Sequence, residues 1–139
     1  MKKLFLILIA GFFAFGLSGC ASYDSAMGSI FSPPAVTHTS PQNGAANVSR
    51  NIVIKASFNE AMSPLTFNTE SVLLLSPTGK MVRGKVYYNS NSLTSYIVSF
   101  TPYRPLRPNT TYTVKLTTAI EANLNDHLGK TYSWSFTTR

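Results

Sequence analysis

The sequence predicts an all-β fold: a seven-stranded antiparallel β-sandwich that follows a signal peptide and a short flexible tether. Three observations support this prediction. Apolar and polar residues alternate with a period of two in several short segments, turn-forming residues cluster between those segments, and no long segment has the helical period that a parallel α/β sheet requires. The length of 139 residues corresponds to one domain.

Three segments, 52–58, 112–117 and 132–137, show the clearest alternation. In each of them one face is apolar and the other polar, as in a strand with one buried and one solvated face. Less regular apolar runs predict four more strands. These lie at 36–40, 72–75, 81–88 and 96–100, and turn clusters lie at 41–44, 77–79, 89–92 and 125–129.

The N-terminus carries the features of a secretory signal peptide. Lys2 and Lys3 precede an apolar run at 4–15, which is too short to cross about 30 Å of hydrocarbon as a helix. The run is followed by Leu17, Ser18, Gly19 and Cys20. These four residues resemble the lipobox of bacterial lipoproteins, and a simple cleaved signal with a free cysteine is the alternative.

The lipobox resemblance implies a location and an anchor. It implies cleavage before Cys20 and acylation of that residue, and two or more acyl chains hold a protein stably on a membrane. Ala21 occupies the position at which an aspartate favours retention in the inner membrane, so the outer membrane is the favoured location. We therefore expect a signal peptide at 1–19, a lipidated tether of about 20 Å at 20–35 and a folded domain at 36–139.

Several segments resemble the SbsA-type bacterial Ig-like domain, and together they cover residues 37–138. The first half of the resemblance is the Pro41 to Gly44 turn, the strand ending at Phe58, and Met62 after it. The second half consists of Phe100-Thr101-Pro102, Leu106 with Pro108 to Tyr112, Asp126 with Gly129, and Trp134 with Phe136 and Thr138. The resemblance implies an immunoglobulin-like sandwich.

Three of these residues have predicted structural roles. Tyr112 follows Leu106 by six residues, a spacing similar to the tyrosine corner, in which a buried hydroxyl bonds to the upstream backbone. Trp134 shares a strand face with two other aromatic residues, so we expect it in the core. Met62 is expected to close one end of the sandwich.

The sequence offers little for catalysis or metal binding. It contains five acidic residues and two histidines, without a nucleophile-elbow pattern or a spacing that brings two carboxylates together. Glu121, Asn123, Asn125 and Asp126 offer oxygens that suit calcium, but they lack the spacing of an EF-hand. We therefore expect a polar turn there, no enzyme activity, no cofactor and no metal.

The charge balance favours anionic partners. Twelve basic residues oppose five acidic ones, and removal of the signal peptide with its two lysines lowers the net charge from +7 to +5. Phospholipid or lipopolysaccharide phosphates and acidic glycans would be attracted, whereas an envelope lipoprotein would seldom meet nucleic acid. The alternative is a solvated basic face that keeps a secreted protein soluble. Two functions remain open: a structural or interaction module that contacts another envelope protein, and a carbohydrate or polyanion binder. The candidate ligand-binding residues are Tyr87, Tyr103, Arg104 and Arg107.

Overall fold

The structure is a computed structural model that describes residues 32–89, 96–122 and 126–139. The predicted signal peptide, with Leu17, Ser18 and Gly19, and the predicted lipidation site Cys20 lie outside the described residues. Ser32–Arg139 forms one compact unit. Within the described ranges, no helix is long and apolar enough to cross a membrane.

The described residues form eight strands in two four-stranded sheets, together with a short 3₁₀ helix at Pro64–Thr66. One sheet has the order β1-β3-β6-β5, and the other has the order β2-β8-β7-β4. The strands are β1 (Val36–Ser40), β2 (Ala45–Val48), β3 (Ile54–Phe58), β4 (Val72–Leu75), β5 (Gly84–Asn89), β6 (Tyr96–Pro102), β7 (Thr111–Leu116) and β8 (Tyr132–Thr138).

The all-β sandwich agrees with the sequence prediction, but the number of strands does not. The prediction of seven antiparallel strands missed β2, which pairs in parallel with β8. Only Ala45 and Val48 of this strand have paired partners, and Asn47 between them has a positive φ of 57°. A strand this short and irregular has no alternation of buried and exposed residues, so a period-two pattern could not reveal it.

The apolar faces of the two sheets meet in one core. In β3 every second residue is buried, and Trp134 and Phe136 of β8 are 3% and 1% exposed, in agreement with their predicted place in the core. Met62 is 1% exposed and donates its backbone N–H to the Tyr88 hydroxyl at 2.9 Å. Burial of each large side chain contributes about 1.5–3 kcal/mol, so this core stabilises the fold without a disulfide.

Candidate functional site

Two connections meet at one end of the sandwich. The loop at 103–110 joins β6 to β7, and the connection at 76–83 joins β4 to β5. Both connections cross from one sheet to the other, since β5 and β6 belong to the first sheet and β4 and β7 to the second. The backbone N–H of Tyr103 donates to the carbonyl of Arg83 at 3.1 Å, which holds the two connections side by side.

A tight turn positions Lys80 in the β4–β5 connection. Gly79 has a φ of +75°, a conformation that glycine adopts without steric cost, and its N–H donates to the Ser76 carbonyl at 2.9 Å. The Ser76 hydroxyl accepts a further bond from the Lys80 N–H at 3.1 Å. The turn therefore fixes the backbone from which the Lys80 side chain extends.

Buried side chains fix the backbone of Arg107 from two sides. Its N–H donates to the Tyr112 hydroxyl at 2.9 Å, and its carbonyl accepts from Thr138 Oγ1 at 2.6 Å. Tyr112 and Thr138 are only 3% and 2% exposed, whereas Arg107 itself is exposed. The hydroxyl of Tyr112 thus makes the backbone contact that the tyrosine-corner resemblance implies.

The preceding residue, Leu106, is fixed in a similar way. Its N–H donates to the Arg50 carbonyl at 3.0 Å, while Arg50 Nε donates to the Leu106 carbonyl at 2.6 Å. The Leu106 side chain is 2% exposed and belongs to the core. The loop is therefore held at consecutive residues, and its exposed side chains extend from a constrained backbone.

These connections border a cleft of about 530 Å³, which we call the cationic cleft. It continues past Lys80 and Met81 into a neighbouring depression of about 590 Å³, with which it shares Arg104 and Arg107. The extended shape suits a chain-like ligand better than a single small ion. The polar and aromatic residues that border the cleft itself are Arg83, Tyr103, Arg104, Arg107 and the edge of Tyr112.

The cations around the cleft have no acidic partners among the described residues. Lys80, Arg83, Arg104 and Arg107 are exposed, and none of their side chains forms an ion pair with a described residue. The ion pair that the described ranges contain joins Glu121 Oε1 to His127 Nδ1 at 3.6 Å, and it lies beyond the opposite end of β7 from the 103–110 loop. A cluster of unpaired cations produces a positive potential that attracts anions.

All side-chain carboxylates of the described residues lie at the other end of the sandwich, which we call the acidic end. Glu60 follows the C-terminal end of β3, and Glu70 precedes β4 at the same end. Glu121 and Asp126 follow β7, and the Glu121 carbonyl accepts the Ser63 N–H at 2.8 Å. The remaining acidic residue, Asp24, lies outside the described residues.

The structure brings together three of the four predicted ligand-binding residues. Tyr103, Arg104 and Arg107 border the cationic cleft, and Tyr103 is 70% exposed. Tyr87 is also exposed, at 57%, but it lies on β5 four residues beyond Arg83, about 13 Å along an extended strand. It therefore takes no part in the cleft.

Sequence reasoning did not place Lys80 and Arg83 in this site. Both precede β5, and only the pairing of Gly84 with Pro102 shows that this connection ends beside Tyr103. The only available signal in the sequence was the positive charge of these two residues. Spacing along the chain could not show which loop it would face.

The other candidate ligands do not form a metal cluster. In the described part of the chain, no three side chains of His, Cys, Asp or Glu come together. Glu121 and Asp126 are described, but Asn123 and Asn125 of the same predicted turn lie outside the described residues. His38 is exposed on β1.

Comparison with solved structures shows the same fold in three other proteins. CopC from Methylosinus trichosporium OB3b matches with a TM-score of 0.62 and 16% identity, over 76% of this chain and 92% of that one. PcoC, a methionine-rich copper resistance protein from Escherichia coli, matches with a TM-score of 0.61 and 20% identity, over 78% and 100%. At these identities the likeness shows the fold alone.

The N-terminal part of the bacterial S-layer protein SbsC also matches, with a TM-score of 0.57 and 17% identity. The match covers 78% of this chain but 24% of that one, so the chain corresponds to a fraction of that protein. No curated protein matches the chain. The family model described as "Bacterial Ig-like domain" matches residues 31–138. That range contains every described strand, and the chain belongs to the bacterial Ig-like domain family.

Proposed function

We propose that this chain is a cell-envelope lipoprotein whose Ig-like domain is a non-catalytic binding module for an anionic glycan. The glycan binds in the cationic cleft. The observation that carries the proposal is the set of four exposed cations, Lys80, Arg83, Arg104 and Arg107, which border an extended depression without a carboxylate partner among the described residues.

The arginines supply the chemistry for carboxylates and phosphates. A guanidinium group presents five N–H donors in a fixed plane, which match two oxygens of one anion. Because the backbone of Arg107 is held by Tyr112 and Thr138, little of its loop must be ordered when a ligand binds. Preorganisation of this kind lowers the entropic cost of binding.

Tyr103 favours a glycan over other polyanions. Its ring is 70% exposed at the border of the cleft. An exposed aromatic ring offers a flat apolar face for the C–H groups of a sugar, and its hydroxyl remains available for a hydrogen bond. Cations and an aromatic face side by side suit a chain of acidic sugar rings.

Copper binding is not part of the proposal, although PcoC, one of the similar structures, is named as a copper resistance protein. Soft thioether ligands suit Cu(I), but Met62 is 1% exposed inside the core. Met81 is 53% exposed, yet it lies between Lys80 and Arg83 in the β4–β5 connection, and their positive charges oppose the binding of a metal cation.

The anchor is supported by the sequence alone. Leu17, Ser18, Gly19 and Cys20 form a lipobox-like motif, and acylation of Cys20 would hold the domain on a membrane. Ala21 favours the outer membrane over the inner one. The Ig-like domain and the CopC-like fold are non-enzymatic kinds of domain, which is consistent with a binding role.

Binding to polygalacturonate, a polymer of acidic sugars, tests the proposal. We expect the chain to bind with an affinity that falls as salt rises, and the double variant Arg104→Ser/Arg107→Ser to bind at least about tenfold more weakly. Lys55→Ser/Lys130→Ser is the matched control, since it also removes two exposed cations but leaves the cleft intact. Equal loss in both variants would show that net charge, not the cleft, drives binding.

The second candidate function is an interaction module for another envelope protein, and two measurements distinguish it from glycan binding. A pull-down from solubilised envelope that recovers one stoichiometric protein, combined with unchanged polygalacturonate binding by the arginine variant, would favour it and contradict glycan binding in the cleft.

A further inference from the structure

The polypeptide enters the domain at the acidic end. Asn59, directly after β3, accepts the Ala35 N–H at its Oδ1 at 2.8 Å and donates its own backbone N–H to the Ala35 carbonyl at 3.1 Å. Its Nδ2 donates to the Pro33 carbonyl at 3.2 Å, and Pro34 is buried. The segment at 32–35 is therefore fixed to the domain beside Glu60.

The strand register places the cationic cleft at the opposite end. Val36 and Phe58 pair at the end where the chain enters, and Phe58 pairs in turn with Tyr96, the first residue of β6. The last residue of β6 is Pro102, directly before Tyr103. Six steps along β6 correspond to about 20 Å, so the point of attachment and the cleft are separated by the length of the sandwich.

The distribution of charge follows the same axis. All four side-chain carboxylates of the described residues are at the end where the chain enters, and the four cleft cations are at the other end. An anionic membrane surface repels the acidic end, while an anionic ligand beyond the domain is attracted to the cationic cleft.

From this arrangement we propose that the protein binds its glycan in trans: the ligand is an acidic polysaccharide on the side away from the membrane that carries the anchor. The proposal rests on the function proposed above. The domain then acts as a bridge about one sandwich length long, with the chain entering at one end and the cleft at the other. Headgroups of the anchoring membrane do not occupy the cleft.

Vesicle capture tests this inference. The chain from Cys20 onwards is coupled through that residue, the single cysteine of the sequence, to a maleimide lipid in neutral phosphatidylcholine vesicles. Beads carrying polygalacturonate should capture these vesicles in a salt-sensitive way. Capture should change by less than about twofold when phosphatidylglycerol is added to the same vesicles at physiological salt, where electrostatic interactions are screened within about 8 Å. Suppression of capture by this added lipid would mean that the cleft binds its own membrane, and would overturn the inference.

Reversal of the attachment provides the matched control. Asn51 is exposed in the turn before β3 at the cleft end and borders neither the cationic cleft nor its neighbouring depression, so coupling through Asn51→Cys in a Cys20→Ser background places the cleft beside the vesicle. We expect capture to fall about tenfold or more, a free-energy difference of about 1.4 kcal/mol, while affinity for free polygalacturonate in solution is retained.

The outcomes separate the two proposals. Equal capture in both orientations, or solution binding without capture through Cys20, overturns binding in trans and leaves glycan binding in place. Absence of binding in solution overturns the proposed function itself.

Discussion

Replacement of Tyr112 by phenylalanine removes one hydroxyl and should destabilise the whole domain. That hydroxyl accepts the Arg107 N–H at 2.9 Å from a side chain that is 3% exposed. Phenylalanine fills nearly the same volume, so core packing is retained and the lost contact is isolated. The Arg107 N–H is left without this acceptor in a part-buried position.

The expected loss follows from the cost of an unmade hydrogen bond. A typical intramolecular bond contributes about 0.5–1.5 kcal/mol, and a buried donor left without an acceptor costs about 1–3 kcal/mol. For the part-buried Arg107 N–H we expect about 1–2 kcal/mol. In a domain of about 100 residues this lowers Tm by about 4–16 °C, and the urea midpoint by about 1 M.

Urea unfolding followed by tryptophan fluorescence measures this loss, because Trp134 is buried in the core. Tyr87→Phe is the control: it makes the same chemical change at a residue that is 57% exposed, and should cost less than about 0.5 kcal/mol. Thr138→Val removes the hydroxyl that donates to the Arg107 carbonyl, together with its bonds to Thr110, so the two variants should combine non-additively. If Tyr112→Phe is as stable as Tyr87→Phe, the hydroxyl does not hold the loop.

Three further outcomes are expected. Burial raises the pKa of Tyr88 above its ordinary value of 10.0, so the stability that this shift contributes is present below the ordinary value and is lost as the pH rises through the higher folded value. The phenolate absorbance titration should lose a late-ionising component in Tyr88→Phe, and an unchanged titration would contradict this. Gly84→Ala should lower the free energy of unfolding in urea by about 1–3 kcal/mol, because the added Cβ would clash with the Phe100 ring and would lie 2.6 Å from the Thr101 carbonyl oxygen. Wild-type stability of this variant would show that the ring moves away freely. Cys20→Ser should release the protein from the membrane fraction, and continued membrane association would refute lipid anchoring.

Sequence patterns predicted the parts of the fold in which local and global preferences agree. Strands such as β3 and β8 bury every second residue, so their alternation was visible before the structure. The strand β2 was not visible, because Asn47 adopts a positive φ and two paired residues suffice to hold it against β8. Its pairing depends on the position of β8, almost ninety residues later in the chain.

The candidate site was predicted only in part, for a similar reason. Tyr103, Arg104 and Arg107 are neighbours in sequence, so their proximity required no knowledge of the fold. Lys80 and Arg83 join them because β5 pairs with β6, and that pairing is not encoded in any local pattern. Tyr87 lies apart, since four residues of extended strand separate it from Arg83.

The central claim is that an anionic glycan binds in the cationic cleft at the end of the domain opposite its attachment. The most direct test is an NMR titration of the chain from Cys20 onwards with oligogalacturonate, monitored at backbone amides. The account predicts shifts concentrated at 80–83 and 103–110, weakened by salt, with little change near Glu60 and Glu121. Shifts concentrated at the acidic end, or at Tyr87 and its strand, would contradict it.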